Sequence, residues 1–147
     1  MKNLKKLVLS TIAIMAFVFS VNAQKNYLKD ADVAFENHQY FNAIELYKQA
    51  YTKVKKADAK ARILYRTAQS YQEINELKSA ETYYSKAIKA KYPDPVAILN
   101  LADVLKTQQR YEEAIVEYNN YKKEMPSDAR GENGVKSCEL AKTMERR

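Results

Sequence analysis

Arg62 and Arg66 stand four residues apart with Tyr65 between them, a spacing that on a helix puts two guanidinium groups on one face. Paired guanidiniums hold carboxylates through charge-assisted hydrogen bonds, and a neighbouring aromatic ring adds contact area. The chemistry this offers is recognition of a partner, without making or breaking bonds. Bond-changing chemistry lacks comparable support. The single histidine, His38, and the single cysteine, Cys138, lie 100 residues apart, too sparse for a metal site. There is no glycine-rich phosphate loop and no serine, histidine and acid set that spacing singles out, and Glu112-Glu113 reads as a solvated helix face. The expectation is a protein that is not an enzyme, with no catalytic residues, no cofactor and no metal. Cys138 reads as a small apolar core residue, with an intermolecular disulfide as the alternative.

The elements that must position these residues are helices. The 147-residue chain is 46% hydrophobic and 29% charged, enough to bury one core, and its two glycines and three prolines leave few of the turn residues that hairpins need. An all-α fold is expected. Residues 1–23 read as a secretory signal peptide: Lys2, Lys5 and Lys6 form a basic start, Leu7 to Val21 is almost wholly apolar, and Val21-Asn22-Ala23 offers compact residues for cleavage after Ala23. The apolar segment is short of the roughly 20 residues that span a bilayer, and no cysteine follows it for lipid attachment. These features predict a periplasmic or secreted product with no stable membrane insertion after cleavage. The formal net charge of +7 includes the three leader lysines, so the exported chain carries +4, with lysines and glutamates interspersed. That pattern argues against a nucleic-acid partner.

The chain repeats itself. "ADVAFENHQYFNAIELYKQA" from Ala31, "AQSYQEINELKSAETYYSKA" from Ala68 and "ADVLKTQQRYEEAIVEYNNY" from Ala102 carry the same residue classes in the same order. Ala31, Ala68 and Ala102 are separated by 37 and then 34 residues, and the same offsets relate Ala43, Ala80 and Ala114, and Tyr47, Tyr84 and Tyr118. Small residues at fixed spacing let two antiparallel helices approach closely, and a tyrosine beside them fills the remaining space. Ala80 and Ala114 are expected to be buried at such contacts. Tyr83, next to Tyr84, is expected to face the next repeat or solvent, and Pro93 and Pro95 to stop the helix before them.

A 34-residue helix-turn-helix period resembles the tetratricopeptide repeat. The third repeat matches that pattern best, with Ile98, Leu101-Ala102, Leu105, Ala114, Tyr118 and Pro126; the second follows with Leu64, Thr67-Ala68, Tyr71, Ala80 and Tyr84. The first departs most, reading Tyr27, Asp30-Ala31, Ala34, Ala43 and Tyr47, with Lys55 at the proline position. The resemblance implies an α-solenoid of three repeats over residues 24–57, 58–94 and 95–128, with a capping helix over 129–147. Val135, Cys138, Ala141 and Met144 would form the cap's apolar stripe, and Gly131 and Gly134 would leave its start prone to fray.

In tetratricopeptide arrays the first helices of successive repeats line a groove that holds a peptide or a partner's helix. Carried over, that face comprises Leu28, Asp32 and Phe35, then Arg62, Tyr65, Arg66 and Gln69, then Leu99, Asn100, Asp103 and Lys106. Asp32 and Asp103 fall where the carboxylate clamp of chaperone-tail binders places neutral or basic donors, and Leu28 replaces the clamp lysine, so chaperone-tail binding is not expected. The order of leader, three repeats and "GVKSCELAK" is also similar to the N-terminal region of Bacteroidetes cell-envelope proteins that continue into a β-propeller and an OmpA-like peptidoglycan-binding domain, some serving type IX secretion. The resulting expectation is a non-catalytic adaptor or scaffold docking a protein or peptide partner of an envelope or secretion assembly. The alternative is the recognition domain of a longer peptidoglycan-anchored or enzymatic protein.

Overall fold

In the computed structural model, which describes residues 26–145, the chain forms seven α-helices and no strand among those residues. They are α1 (Tyr27–Glu36), α2 (Tyr40–Lys53), α3 (Ala57–Glu73), α4 (Leu77–Lys89), α5 (Val96–Thr107), α6 (Tyr111–Glu124) and α7 (Ala129–Glu145). Each helix packs on the one that follows it, and α7 also touches α5, so the elements stack in chain order as a solenoid must. The expected leader, residues 1–23, lies outside the described residues.

The seams are those the alanines require. Ala31, Ala43, Ala68, Ala80, Ala87, Ala102 and Ala114 are all fully buried, and Tyr47, Tyr84 and Tyr118 fill the space beside them. One apolar cluster gathers α1 to α3 around Ala43 and Tyr47, and a larger one runs from Leu64 on α3 to Cys138 on α7. Cys138 is buried with a free thiol, whose pKa burial pushes up, as suits a small core residue.

The turns inside the repeats are tight and obey one rule. His38, Asn75 and Gln109, which follow α1, α3 and α5, all have φ near +60°. Behind each, the next amide reaches back five residues: Gln39 N to Ala34 O at 2.9 Å, Glu76 N to Tyr71 O at 2.9 Å and Arg110 N to Leu105 O at 3.0 Å. This is the Schellman closure, made here without glycine at the left-handed position. Asn26 accepts from Lys29 N at the start of α1, and Asp94 accepts from Val96 N at the start of α5, after Pro93 has barred any continuation of α4.

Two expectations for α7 are corrected. Gly131 and Gly134 do not fray the helix; they are buried on its packed face, where α7 lies against Tyr118 and Tyr121. Met144, expected on the apolar stripe, is 69% exposed, because the buried face follows Gly131, Gly134 and Cys138 rather than a strict three-residue spacing.

Candidate functional site

The inner helices α1, α3 and α5 share one face, held together by side-chain bonds that cross from repeat to repeat. Arg62 Nη2 donates to Asp32 Oδ1 at 2.9 Å, and Arg66 pairs with Glu36 at 3.8 Å while its guanidinium lies 4.5 Å from the Phe35 ring centroid. Both contacts join α3 to α1. On the other side, Asn100 Nδ2 donates to the Tyr65 hydroxyl at 3.2 Å and to the Tyr84 hydroxyl at 3.4 Å, joining α5 to α3 and α4. A continuous polar strip therefore runs across three successive inner helices.

Several of the eleven residues expected on this face carry structural duties. Asp32 accepts from the buried Tyr47 hydroxyl at 2.8 Å, and Asp103 accepts from that of Tyr118. Burial, then the hydrogen bond to the carboxylate, pushes both phenols well above their ordinary range. In the middle repeat the equivalent position is Gln69, and there the Tyr84 hydroxyl turns to Gln72 at 2.6 Å instead. Each repeat thus satisfies its core tyrosine with an acceptor from its own inner helix. The two aspartates are anchors for the core.

Leu99 is corrected outright: it is 5% exposed and belongs to the core cluster, since a leucine one residue before Asn100 turns about 100° away from the polar strip. Tyr65 is 7% exposed, with its ring stacked on Tyr92 at 4.3 Å between centroids, so most of its area already serves the fold. Leu28 packs half-buried against the first cluster. Half-exposed on the face remain Phe35, Arg62, Arg66, Gln69, Asn100 and Lys106. Arg66 Nη1 donates to Gln69 at 3.3 Å, and Lys106 lies 3.5 Å from Asp103 and 5.6 Å from the Tyr118 ring centroid. Arg62, Arg66 and Lys106 each meet an acid, Asp32, Glu36 and Asp103, so the face is close to charge-neutral and the arginines are not free to form a carboxylate clamp.

Tyr92 was missed by sequence reasoning, although it occupies a position where the repeat pattern has proline; its role is to stack on Tyr65. Tyr83 does not face the next repeat; half-buried, it packs on Tyr71, 5.3 Å between centroids, and borders an open hollow shared with Tyr47 and Tyr51 of the preceding repeat. Among the described residues no group of three His, Cys, Asp or Glu side chains is placed to hold a metal ion, and no helix is long and apolar enough to cross a membrane.

No protein-family model matches the chain, and no curated protein matches it. Solved structures do. MamA superposes with a TM-score of 0.74 at 20% identity, covering 89% of this chain and 77% of that one. The second tetratricopeptide domain of human RPAP3, determined in complex with an HSP70 peptide, gives 0.68 at 17% identity over 78% of this chain and 92% of that one. The first such domain of Spaghetti (RPAP3), bound to an HSP90 peptide, gives 0.69 at 16% identity over 80% and 94%. Together with the paired helices and the alanine seams, these likenesses show the fold: the chain is an all-α solenoid of tetratricopeptide repeats closed by a terminal helix.

Proposed function

We propose that the protein is an exported, non-catalytic interaction module that docks a protein or peptide partner of a cell-envelope or secretion assembly along the face of α1, α3 and α5. The observation that carries this reading is the pair of side-chain links across the three inner helices, Arg62 and Arg66 of α3 to Asp32 and Phe35 of α1, and Asn100 of α5 to Tyr65 of α3. A strip of this kind presents a near-neutral polar surface and the half-exposed Phe35 ring to an extended segment. Two of the similar structures hold peptides, which supports the same use of the fold. The acids at positions 32 and 103 already hold tyrosine hydroxyls, which favours a partner other than a chaperone tail. Export rests on the leader pattern of residues 1–23.

A photo-crosslinking residue at position 69 tests docking. Capture of a discrete envelope protein, lost in Arg66→Glu and retained in the outer-face control Lys89→Glu, is the expected result. Equal loss in both would reduce the contact to unspecific charge attraction. N-terminal sequencing of fractionated protein tests export: a chain starting at Gln24 in the periplasm supports it, and an intact membrane-bound chain starting at Met1 overturns it. The alternative, a recognition domain of a longer protein, draws support from the resemblance of the "GVKSCELAK" segment and is tested by reading the frame past Arg147.

A further inference from the structure

On the side of α3 turned away from Arg62 and Arg66, the first two repeats leave a half-open cavity of about 210 Å³ between α2 and α4. Ile63, Leu64 and Thr67 of α3 line it, with Tyr51 from α2 and Tyr83 from α4. Its charged members are lysines. Lys48 and Lys86 line it and are exposed. Lys86 Nζ stands 4.8 Å from the Tyr83 ring centroid, and Lys60 Nζ stands 5.1 Å from that of Tyr51. Among the described residues neither Lys60 nor Lys86 has an acidic partner within ion-pair distance, and Lys48 has only Glu45, at 3.0 Å and itself exposed.

The next junction provides an internal comparison. At the positions of Lys48, Thr67, Tyr83 and Lys86, the repeat offsets place Ser85, Leu101, Glu117 and Asn120. A hollow at that junction, about 270 Å³, shares Ser85, Leu101 and Glu117 and is otherwise lined by residues such as Glu81 and Glu113, with Arg110 held by Glu81 at 2.5 Å and Glu113 at 2.6 Å. Packing of one repeat on the next therefore does not call for a tyrosine at position 83 or for lysines at positions 48 and 86. They are a property of the first junction.

Size narrows the occupant. An apolar cavity of about 150 Å³ accepts benzene, whereas small-molecule sites start at roughly 300 Å³, so this one fits a single ring. Lys48 and Lys86 line it from α2 and α4, and Lys60 of α3 stands over the Tyr51 ring that forms one wall, which suits one buried anchor with flanking charges better than one compact ligand. We propose that the cavity between α2, α3 and α4 is a second docking point, for a partner segment that carries an aromatic side chain flanked by acidic residues. The ring enters beside Tyr51 and Tyr83, and the flanking carboxylates meet Lys48, Lys60 and Lys86. This inference rests on the reading of the protein as an interaction module and adds a surface to it.

The test is an NMR titration of the isotope-labelled protein with a capped Asp-Glu-Phe-Glu-Asp peptide. The expected result is shifts at Tyr51, Thr67 and Tyr83, with affinity lowered at least about tenfold by Lys48→Glu combined with Lys86→Glu, circular dichroism unchanged. Alanine in place of the peptide's phenylalanine should weaken binding comparably. A Lys-Lys-Phe-Lys-Lys peptide binding equally well would overturn the charge assignment, and free phenylpropionate binding as tightly would make the cavity a small-molecule site. Shifts confined to Arg66, Asn100 and Lys106 would move the acidic segment to the inner face and overturn this inference alone. Absence of peptide binding, with a partner still captured through position 69, would do the same; absence of both would also remove the interaction-module reading.

Discussion

Gly134 of α7 lies flat against the ring of Tyr118 on α6, so closely that a methyl group at position 134 would overlap the ring carbons. Tyr118 cannot retreat: it is 1% exposed, and its hydroxyl is bonded to Asp103. The glycine is therefore what lets the terminal helix cover the last repeat.

Gly134→Ala should accordingly destabilise the protein by about 1–3 kcal/mol through overpacking, although helix propensity alone would make it stabilising by about 1 kcal/mol. Ser137→Ala, on the exposed side of the same helix, isolates the propensity effect. Urea unfolding of the two variants decides the matter, and a Gly134→Ala protein more stable than the wild type would mean that α7 packs elsewhere.

Asp32 joins two repeats by holding Tyr47 at 2.8 Å and Arg62 at 2.9 Å. Asp32→Ala strands a phenol in the core and should lose about 1–3 kcal/mol in denaturant melts. Gln69→Ala removes a side chain that only accepts from Arg66, and should change stability by less than about 0.5 kcal/mol. Similar losses from both would mean that Asp32 holds the core no more than Gln69 does.

Gln109 sits at φ +61°, a left-handed conformation that side chains disfavour. Gln109→Gly should raise stability by about 0.5–1 kcal/mol, the relief of strain exceeding the added freedom of the unfolded chain. Asn75→Gly, at φ +60°, should gain less, since asparagine tolerates this region. Thermal melts check the ranking.

Alkali should unfold the protein through its core phenols. Burial, the first cause for each, raises the pKa of Tyr47, Tyr84 and Tyr118 above the ordinary 10.0. Because the folded value is the higher one, the stability linked to these groups is fully present below about pH 10 and is lost as pH rises beyond it. Urea midpoints measured at increasing pH should fall above that point, and less steeply in Tyr84→Phe. Equal slopes would mean that the Tyr84 hydroxyl titrates freely in the folded state.

Much of the solenoid was legible in the residues themselves. A repeat writes its contacts three times, so Ala43, Ala80 and Ala114 with Tyr47, Tyr84 and Tyr118 disclosed the helix pairs and their seams before any coordinates. Glycine and proline scarcity likewise pointed to helices, because hairpins need turn residues that are few here. The inner face was only partly readable. Spacing places Arg62 and Arg66 on one side of a helix, but only the packing of α1 against α3 shows that Asp32 and Glu36 already engage them. Leu99 and Tyr65 went into the core for the same reason: a residue's exposure depends on which neighbour covers its helix face, and that neighbour lies in another repeat. The lysine and tyrosine cavity draws on α2, α3 and α4, with Lys48 and Lys86 far apart in sequence, and no periodicity within one helix could bring them together. Local pattern determined the helices and their apolar faces; the stacking of one repeat on the next decided which polar groups are satisfied within the fold and which stay exposed.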